Sequence, residues 1–480
     1  MPKKPNEKVN YKSKEMYQLL RGMKDIMPED QNYWNFIRAR VNSFAQAYSF
    51  QRIDLPILEQ TSLFIRSVGE DTDIVEKEMY TFRDKSDESV TLRPEGTAGV
   101  ARAYIEHGML NRPQPVKMYY LGPFFRYDRP QAGRYRQFYQ YGFEVLGDNH
   151  PVIDAQLMMM AYFFYSQMNI PVTLQVNSVG GPQCRTRYKK ALADYYKTRK
   201  NSLCEDCKKR LLKNPLRLLD CKNPDCQLLA ADAPQLVDYL SEEYHDHFVK
   251  VLEHLDALEI SYVLNTRLVR GLDYYTGTVF EVWPTEGNRI IPGEGVPGEG
   301  PQEGAVQSEV KPSAQSALGG GGRYDLLVKT LGGPPTPAIG FAAGIERLVL
   351  EMKSRGFKLP AELRPDIFVA QLGDSARKKA LKLFEELRQA NYNVTESFSK
   401  DGLKQQMEVA NRRQAKFALI LGQKEIMDST ILIRDMESGL QETVDFSKVV
   451  PEIKKRLEKY SVVKVINNNR GANTLVPINE

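Results

Sequence analysis

With 480 residues, a formal charge of +5, 42% hydrophobic and 26% charged side chains, the chain reads as an ordinary soluble globular protein. One core seldom grows past roughly 250–300 residues, so about two to four domains are expected, and the mild basic excess permits a polyanionic partner without demanding one. A secretory signal is excluded because Lys3, Lys4, Lys8, Lys12 and Lys14 precede no apolar run, and a membrane span because the longest apolar run, 157–165, is too short; five cysteines, four of them clustered, fit a reducing, cytoplasmic setting rather than a disulfide framework.

The spacing of Trp34, Ile37, Val41, Phe44 and Ala45 behind Pro28 predicts an amphipathic helix over 29–48, followed by a strand over 50–58 that closes on Pro56. Two short strands, 79–82 and 89–92, lead into Arg93-Pro94-Glu95-Gly96-Thr97 and a helix over 98–106. Free N–H groups at that helix start suit an anion and Glu95 suits an ammonium, although a capping role for Glu95 or Thr97 is the plainer local reading.

A hairpin is predicted from strands 116–127 and 136–146, joined by a loop with Arg129, Pro130, Gly133 and Arg134. Alternation puts Arg136, Phe138, Gln140, Gly142 and Glu144 on one face of the second strand and Gln137, Tyr139, Tyr141, Phe143 and Val145 on the other. The second face is packable. The first carries a cation, a ring, an amide and a carboxylate, a costly set to bury without a polar ligand, and so reads as the floor of a site. An apolar helix over 152–168 is core, its three methionines included.

Residues 185–262 read as a mostly helical insertion. Within it Cys204 and Cys207, then Cys221 and Cys226, form two thiol pairs at a spacing that fits a tetrahedral structural Zn²⁺ site, against the alternative of four reduced cysteines in a helical insert. Beyond Arg270-Gly271 a strand is expected to 283, with Tyr275, Gly277, Val279 and Glu281 on one face. The Pro-, Gly- and Glu-rich stretch 284–322 reads as a long mobile loop, with its glycine run from Gly319 letting backbone approach a ligand. A short strand, 339–343, then enters a helix whose Ile345, Leu348, Val349 and Met352 pack, leaving Arg347 near the helix start, where a guanidinium suits phosphate. From 365 to 460 strands and helices alternate as a small α/β domain, with 17 Lys and Arg against 15 Asp and Glu over 366–460 and hence no charge-based case for RNA binding. Residues 461–480 carry no pattern.

In this order the segments resemble the class II aminoacyl-tRNA synthetases and, among them, the histidyl-tRNA synthetases, over about residues 20–460. The helix and strand ending near Pro56, the hairpin around Phe125-Arg126, and Gly344-Ile345-Glu346-Arg347-Leu348 match the three class motifs. Arg270-Gly271-Leu272-Asp273-Tyr274-Tyr275 and Gly321-Gly322-Arg323-Tyr324-Asp325 point to histidine. The resemblance implies an α+β catalytic domain over 21–360, with an antiparallel sheet of six or seven strands flanked by helices, and a C-terminal α/β anticodon-binding domain over 365–460 with a mixed sheet. It implies ATP with Mg²⁺, L-histidine and tRNA(His) as reactants and partners, and a homodimer.

On this resemblance Arg126 grips the α-phosphate, Phe138 stacks on adenine, Arg347 and Arg136 serve ATP, and Arg270 stabilises charge where the histidine carboxylate meets phosphorus. Glu95, Thr97 and Gln140 suit the substrate ammonium, Glu144 and Tyr275 the imidazole, with Tyr274 and Tyr324 beside them; Arg129 and Gln131 are placed at the tRNA acceptor end. The 284–318 loop is longer than the family leads one to expect, and is either a surface insertion or a cover for the site. Two other readings stand beside this one: a catalytically silent relative acting as a regulatory subunit of ATP phosphoribosyltransferase, and a relative charging another amino acid. The silent relatives usually lose the site arginines and the C-terminal module, which this chain keeps.

Overall fold

The computed structural model describes residues 17–70, 72–219, 221, 223–285, 317–360 and 364–469, from 460 onward as backbone. The basic extension over 1–16, the stretch 286–316 and the tail 470–480 lie outside the described residues. Two compact units divide between Leu359 and Pro360.

The first unit is built on an eight-stranded sheet in the order Gln51–Arg52, Val116–Phe125, Gln137–Leu146, Ala338–Gly344, Gly319–Arg323, Thr276–Pro284, Val172–Ser178, Tyr262–Leu264. Its six central strands are antiparallel and a short parallel strand closes each edge, so the sheet is wider by these edges than the expected six or seven. Alternation divides the hairpin strand as its sequence dictates. Tyr141, Phe143 and Val145 enter a core with Trp34, Ile37 and Val41 of the Pro28–Ala47 helix and the methionine-bearing Pro151–Ser166 helix. There Phe143 stacks on Phe341 at 5.8 Å between centroids, and each such buried aromatic contributes roughly 1.5–3 kcal/mol. Phe138 and Glu144 face the opposite side, where the Thr97–Glu106 helix and Tyr120, Tyr274, Tyr275 and Tyr324 lie.

Two expected elements come out differently. The strand predicted over 50–58 splits: Gln51–Arg52 joins the main sheet, while Leu58–Gln60 pairs in a separate three-stranded sheet with Ser89–Leu92. Pro56 sits in the break, and the buried Arg93 guanidinium donates to Leu55 O at 2.6 Å and Pro56 O at 3.3 Å, satisfying carbonyls that no strand pairs there. The glycine run assigned to the long loop is instead the central strand Gly319–Arg323. A Cβ on Gly321 would stand 2.0 Å from Gly340 O, and one on Gly319 would stand 2.7 Å from Ala343 Cβ, so the neighbouring strands approach too closely for side chains and backbone pairing holds this strand alone.

Between Val172–Ser178 and Tyr262–Leu264 the chain forms the expected helical insertion, with helices Pro182–Lys197, Glu205–Lys213, Pro224–Ala231 and Glu242–Ala257. The second unit carries a mixed five-stranded sheet in the order Val394–Glu396, Ile367–Gln371, Phe417–Leu421, Thr430–Asp435, Gln441–Asp445, its first three strands parallel and the rest antiparallel. Its last helix runs Val449–Asn469, into residues whose sequence carried no pattern. Among the described residues no helix is long and apolar enough to cross a membrane.

Candidate active site

A cavity of about 390 Å³ opens on the Phe138 face of the sheet. Arg126, Arg134, Arg270 and Arg347 line it from the end of the first hairpin strand, the hairpin loop, the segment before Thr276 and the first turn of the Ile345–Ser354 helix. Arg185 and Arg217 line it too, and six carboxylates, Asp73, Glu78, Asp128, Asp273, Glu281 and Glu346, stand among these guanidiniums. Burial first, then Arg134 and Arg126, hold Arg347 below the ordinary arginine range, and burial does the same to Arg126. The repulsion from neighbouring guanidiniums marks the surroundings of Arg347 as the part of the cavity suited to an anion.

Each cation is fixed by a few bonds that leave the guanidinium facing the cavity. Arg126 Nε donates to Pro94 O at 2.8 Å and its guanidinium carbon stands 5.4 Å from the Phe138 ring centre. Arg347 donates to Ala317 O at 2.7 Å and Gly133 O at 3.3 Å. Arg270 pairs with Glu281, lies 5.8 Å from the Tyr275 ring, and keeps a buried Nε without a partner. Gly320 permits that position, since a Cβ there would stand 2.7 Å from Arg270 Nη1. Glu346 is half-buried, and that burial pushes its carboxylate up to about 7; it accepts from Tyr139 N at 2.8 Å, where the Ala338–Gly344 strand has already ended opposite Gln140.

Gln140 and Tyr275 line the cavity and lead to a buried cluster behind it. Glu144 is fully buried. Its carboxylate accepts from Thr97 Oγ1 at 2.8 Å, Tyr324 OH at 2.6 Å and Tyr120 OH at 3.4 Å, and burial pushes it up to about 8. Gly340 makes the room, as a Cβ there would meet Glu144 Oε2 at 1.6 Å. Glu95 accepts from Thr97 N at 2.6 Å and Ala98 N at 2.8 Å, and Tyr274 OH donates to it at 3.4 Å. The plain capping reading of Glu95 is thus realised, and the cap simultaneously sits in the polar cluster. Tyr274 packs 4.8 Å from Tyr275 and 5.8 Å from Tyr324.

The fold brings Arg126, Phe138, Gln140, Arg270, Tyr275 and Arg347 to one cavity and Glu95, Thr97, Glu144, Tyr274 and Tyr324 to the buried cluster behind it. Three residues stay apart. Arg136 is laid on the Tyr127 ring at 3.7 Å and donates to Asp128 O, outside the cavity, while Arg129 and Gln131 are exposed in the hairpin loop. That loop instead contributes Arg134, paired with Asp128 at 2.5 Å. Sequence reasoning also passed over the wall formed by Thr72, Asp73 and Glu78 together with Asn214, Leu216 and Arg217 of the insertion. Neither segment has a local signal; only Glu281 and Glu346 were findable, by strand parity and by adjacency to Arg347.

In the insertion the sulfurs of Cys204, Cys207, Cys221 and Cys226 all lie within 4.8 Å of one another, with 3.8 Å between those of Cys204 and Cys221.

Residues 22–295 match the family model described as Histidyl-tRNA synthetase, and residues 366–456 the one described as Anticodon binding domain. A protein of Dehalococcoides mccartyi (strain 195) named Histidine–tRNA ligase is 45% identical, covering 92% of this chain and 100% of its own length. One of the same name from Pelotomaculum thermopropionicum is 43% identical over 91% of this chain and 97% of its own. The apo structure of S. aureus histidyl-tRNA synthetase superposes with a TM-score of 0.72 at 36% identity, covering 92% of this chain and all of that one.

Proposed function

The chain belongs to the histidyl-tRNA synthetase family, and from that premise we propose that it ligates L-histidine to tRNA(His) at the expense of ATP. The observation that carries the reading is the cavity itself: three guanidiniums, Arg126, Arg270 and Arg347, line a space whose Gln140 and Tyr275 side is backed by a buried carboxylate, Glu144, held by tyrosine hydroxyls. In the first step a carboxylate oxygen of histidine attacks the α-phosphorus of ATP, the bond to the β-phosphate oxygen breaks, and pyrophosphate leaves. In the second a ribose hydroxyl at the tRNA end attacks the histidyl carbonyl and AMP leaves. Negative charge moves between oxygens in both, so fixed cations do more here than a protein nucleophile.

Arg126 binds the α-phosphate and Arg270 the developing charge between carboxylate and phosphorus, while Phe138 stacks on adenine and Arg347 takes the γ-phosphate end. Mg²⁺ enters with ATP. Gln140 and Glu95 receive the ammonium and Glu144 and Tyr275 the imidazole, since a buried ring nitrogen needs a partner and a pocket built around one rejects side chains that lack it. The second unit takes the anticodon, and Arg129 and Gln131 meet the acceptor end from the exposed loop. Leu58 and Phe82, both nearly half exposed on the three-stranded sheet, support a second copy of the chain packing there as a homodimer in the cytoplasm. Cys204, Cys207, Cys221 and Cys226 offer a closed thiolate set for a structural Zn²⁺, separate from the chemistry.

The silent regulatory reading is not favoured, because every site arginine the chemistry needs faces the cavity. The test is pyrophosphate exchange with each of the twenty amino acids, followed by charging of tRNA(His). Exchange with histidine alone is expected. Exchange with none would restore the silent reading, and exchange with another amino acid would overturn the specificity.

A further inference from the structure

The four cysteines stand at the two ends of one segment, and that segment is a wall of the cavity. Cys204 precedes the Glu205–Lys213 helix and Cys207 lies in its first turn; the chain then passes Asn214, turns through Pro215–Leu218 and returns at Cys221. Cys226 lies in the first turn of the Pro224–Ala231 helix, whose start Asn223 caps by accepting from Asp225 N at 2.9 Å and Cys226 N at 3.3 Å. Two helix N-termini therefore converge on the sulfurs, and Cys204 N donates to Cys226 Sγ at 3.3 Å. Four sulfurs about 2.3 Å from a tetrahedral Zn²⁺ are about 3.8 Å from each other. The Cys204–Cys221 separation is 3.8 Å, and the other pairs lie within 4.8 Å.

Between those ends the segment reaches across to residues 72–78, which form the facing part of the same wall. Arg217 pairs with Asp73, and Lys213 Nζ lies 3.3 Å from Glu76 Oε1. Asn214, Leu216, Arg217, Thr72 and Asp73 all line the cavity, and Asn214 is 8% exposed with a buried Oδ1 that has no hydrogen-bond partner among the described residues. Leu211 and Leu218 are buried in this segment, with Leu216 and Leu219 packed beside them. A metal bridging Cys207 and Cys221 would in addition tie its two ends together.

We infer that one Zn²⁺ on Cys204, Cys207, Cys221 and Cys226 fixes residues 213–218 as a wall of the catalytic cavity, so that the metal governs how well the cavity holds its substrates. The inference rests on reading the four cysteines as a metal site. Without the metal the loop loosens, Arg217 no longer holds Asp73 in place, and substrate binding weakens while the arginines that stabilise the transition state stay where they are.

Metal content is measured on the purified full chain, on chain stripped with a mercurial and chelator, on stripped chain given back Zn²⁺, and on Cys226→Ser and Arg217→Ala. ATP binding is followed by calorimetry and the exchange reaction by its KM and kcat. One Zn²⁺ per chain is expected, with about a tenfold weaker Kd and higher KM for ATP on stripping, a kcat within about threefold, and recovery on adding Zn²⁺. Arg217→Ala is expected to keep the metal and show the same loss of affinity, which separates the wall from any misfolding of Cys226→Ser. A chain that neither carries nor takes up Zn²⁺ overturns the metal site and the inference with it. Bound Zn²⁺ with unchanged ATP binding after stripping overturns the wall while leaving the site standing. Calorimetry reads ATP binding independently of which amino acid is charged, so neither result depends on the histidine assignment.

Discussion

Arg323 and the cavity arginines Arg126, Arg270 and Arg347 are held in opposite ways, the first buried and the other three partly exposed. Arg323, at the end of the glycine strand, is 2% exposed and completely engaged: 2.6 Å from Asp154 Oδ1, 3.2 Å from Asp325, and donating to Asp148 O and His150 O, with His247 Nε2 a further 2.9 Å from Asp154 Oδ2. Arg126 and Arg347, among the described residues, are held by backbone carbonyls, and Arg270 by Glu281 with one nitrogen left over. Burying a charge is costly wherever it happens. Where partners neutralise it on the spot, as at Arg323, the arrangement serves the fold; the carbonyls at Arg126 and Arg347 fix direction but not charge, and the balance there is left for a ligand, while Arg270 stands between with a carboxylate partner and, among the described residues, a free edge. Sequence neighbours do not reveal which is which, since Arg270 and Arg323 both sit in segments that resemble the same family.

The comparison is sharpest in substitution. Arg323→Ala would leave Asp154, fully buried, without its cation, and a loss of about 3–5 kcal/mol in unfolding free energy is expected by chemical denaturation, with activity per folded molecule close to wild type. A stable but inactive variant would place Arg323 with the other group. Arg270→Ala should do the reverse. Its stability should stay within about 1 kcal/mol, because Glu281 keeps the Trp283 indole at 3.1 Å and access to the cavity, while kcat for exchange falls on the order of 10²- to 10³-fold, as for removal of a transition-state donor. Retained exchange in folded Arg270→Ala would erase the distinction.

How much of this was legible in sequence follows from what each part depends on. The parity of residues 137–146 separated the Tyr141, Phe143 and Val145 core from the Phe138 and Glu144 face because a buried strand must alternate. The same rule fails for Gly319–Arg323. Four residues with no side chain alternate nothing, and composition then suggested a loop, whereas the cause of the strand is the approach of Phe341 and Val279 backbone from either side. Pro56 marked where a strand ends, but only the Arg93 guanidinium, 37 residues further on in the chain, explains how the broken segment is satisfied. The wall from 72–78 and 214–217 has neither periodicity nor motif, being defined by ion pairs across more than a hundred residues.

A smaller effect separates the carboxylate cluster behind the cavity from the arginines that line it. Glu144 is pushed up to about 8 by burial, against the opposing pull of the Tyr324 and Thr97 hydroxyls. In the unfolded chain it ionises near 4.5, so between these values the folded state holds a proton the unfolded state has released. Stability then falls as pH rises through that window, and the penalty is complete only above about pH 8. Glu144→Gln has no proton to lose. Its stability relative to wild type should therefore climb from pH 5 to pH 8 by on the order of 3–4 kcal/mol and level off beyond, read as a widening gap between two melting curves. The same change should raise KM for histidine with little effect on ATP binding, since the amide presents an N–H₂ where the imidazole needs an acceptor. Melting temperatures that run parallel across the range would mean that Glu144 is already ionised in the free protein, with the hydroxyl donors outweighing burial; the buried cluster would then hold a preformed anion behind the cavity.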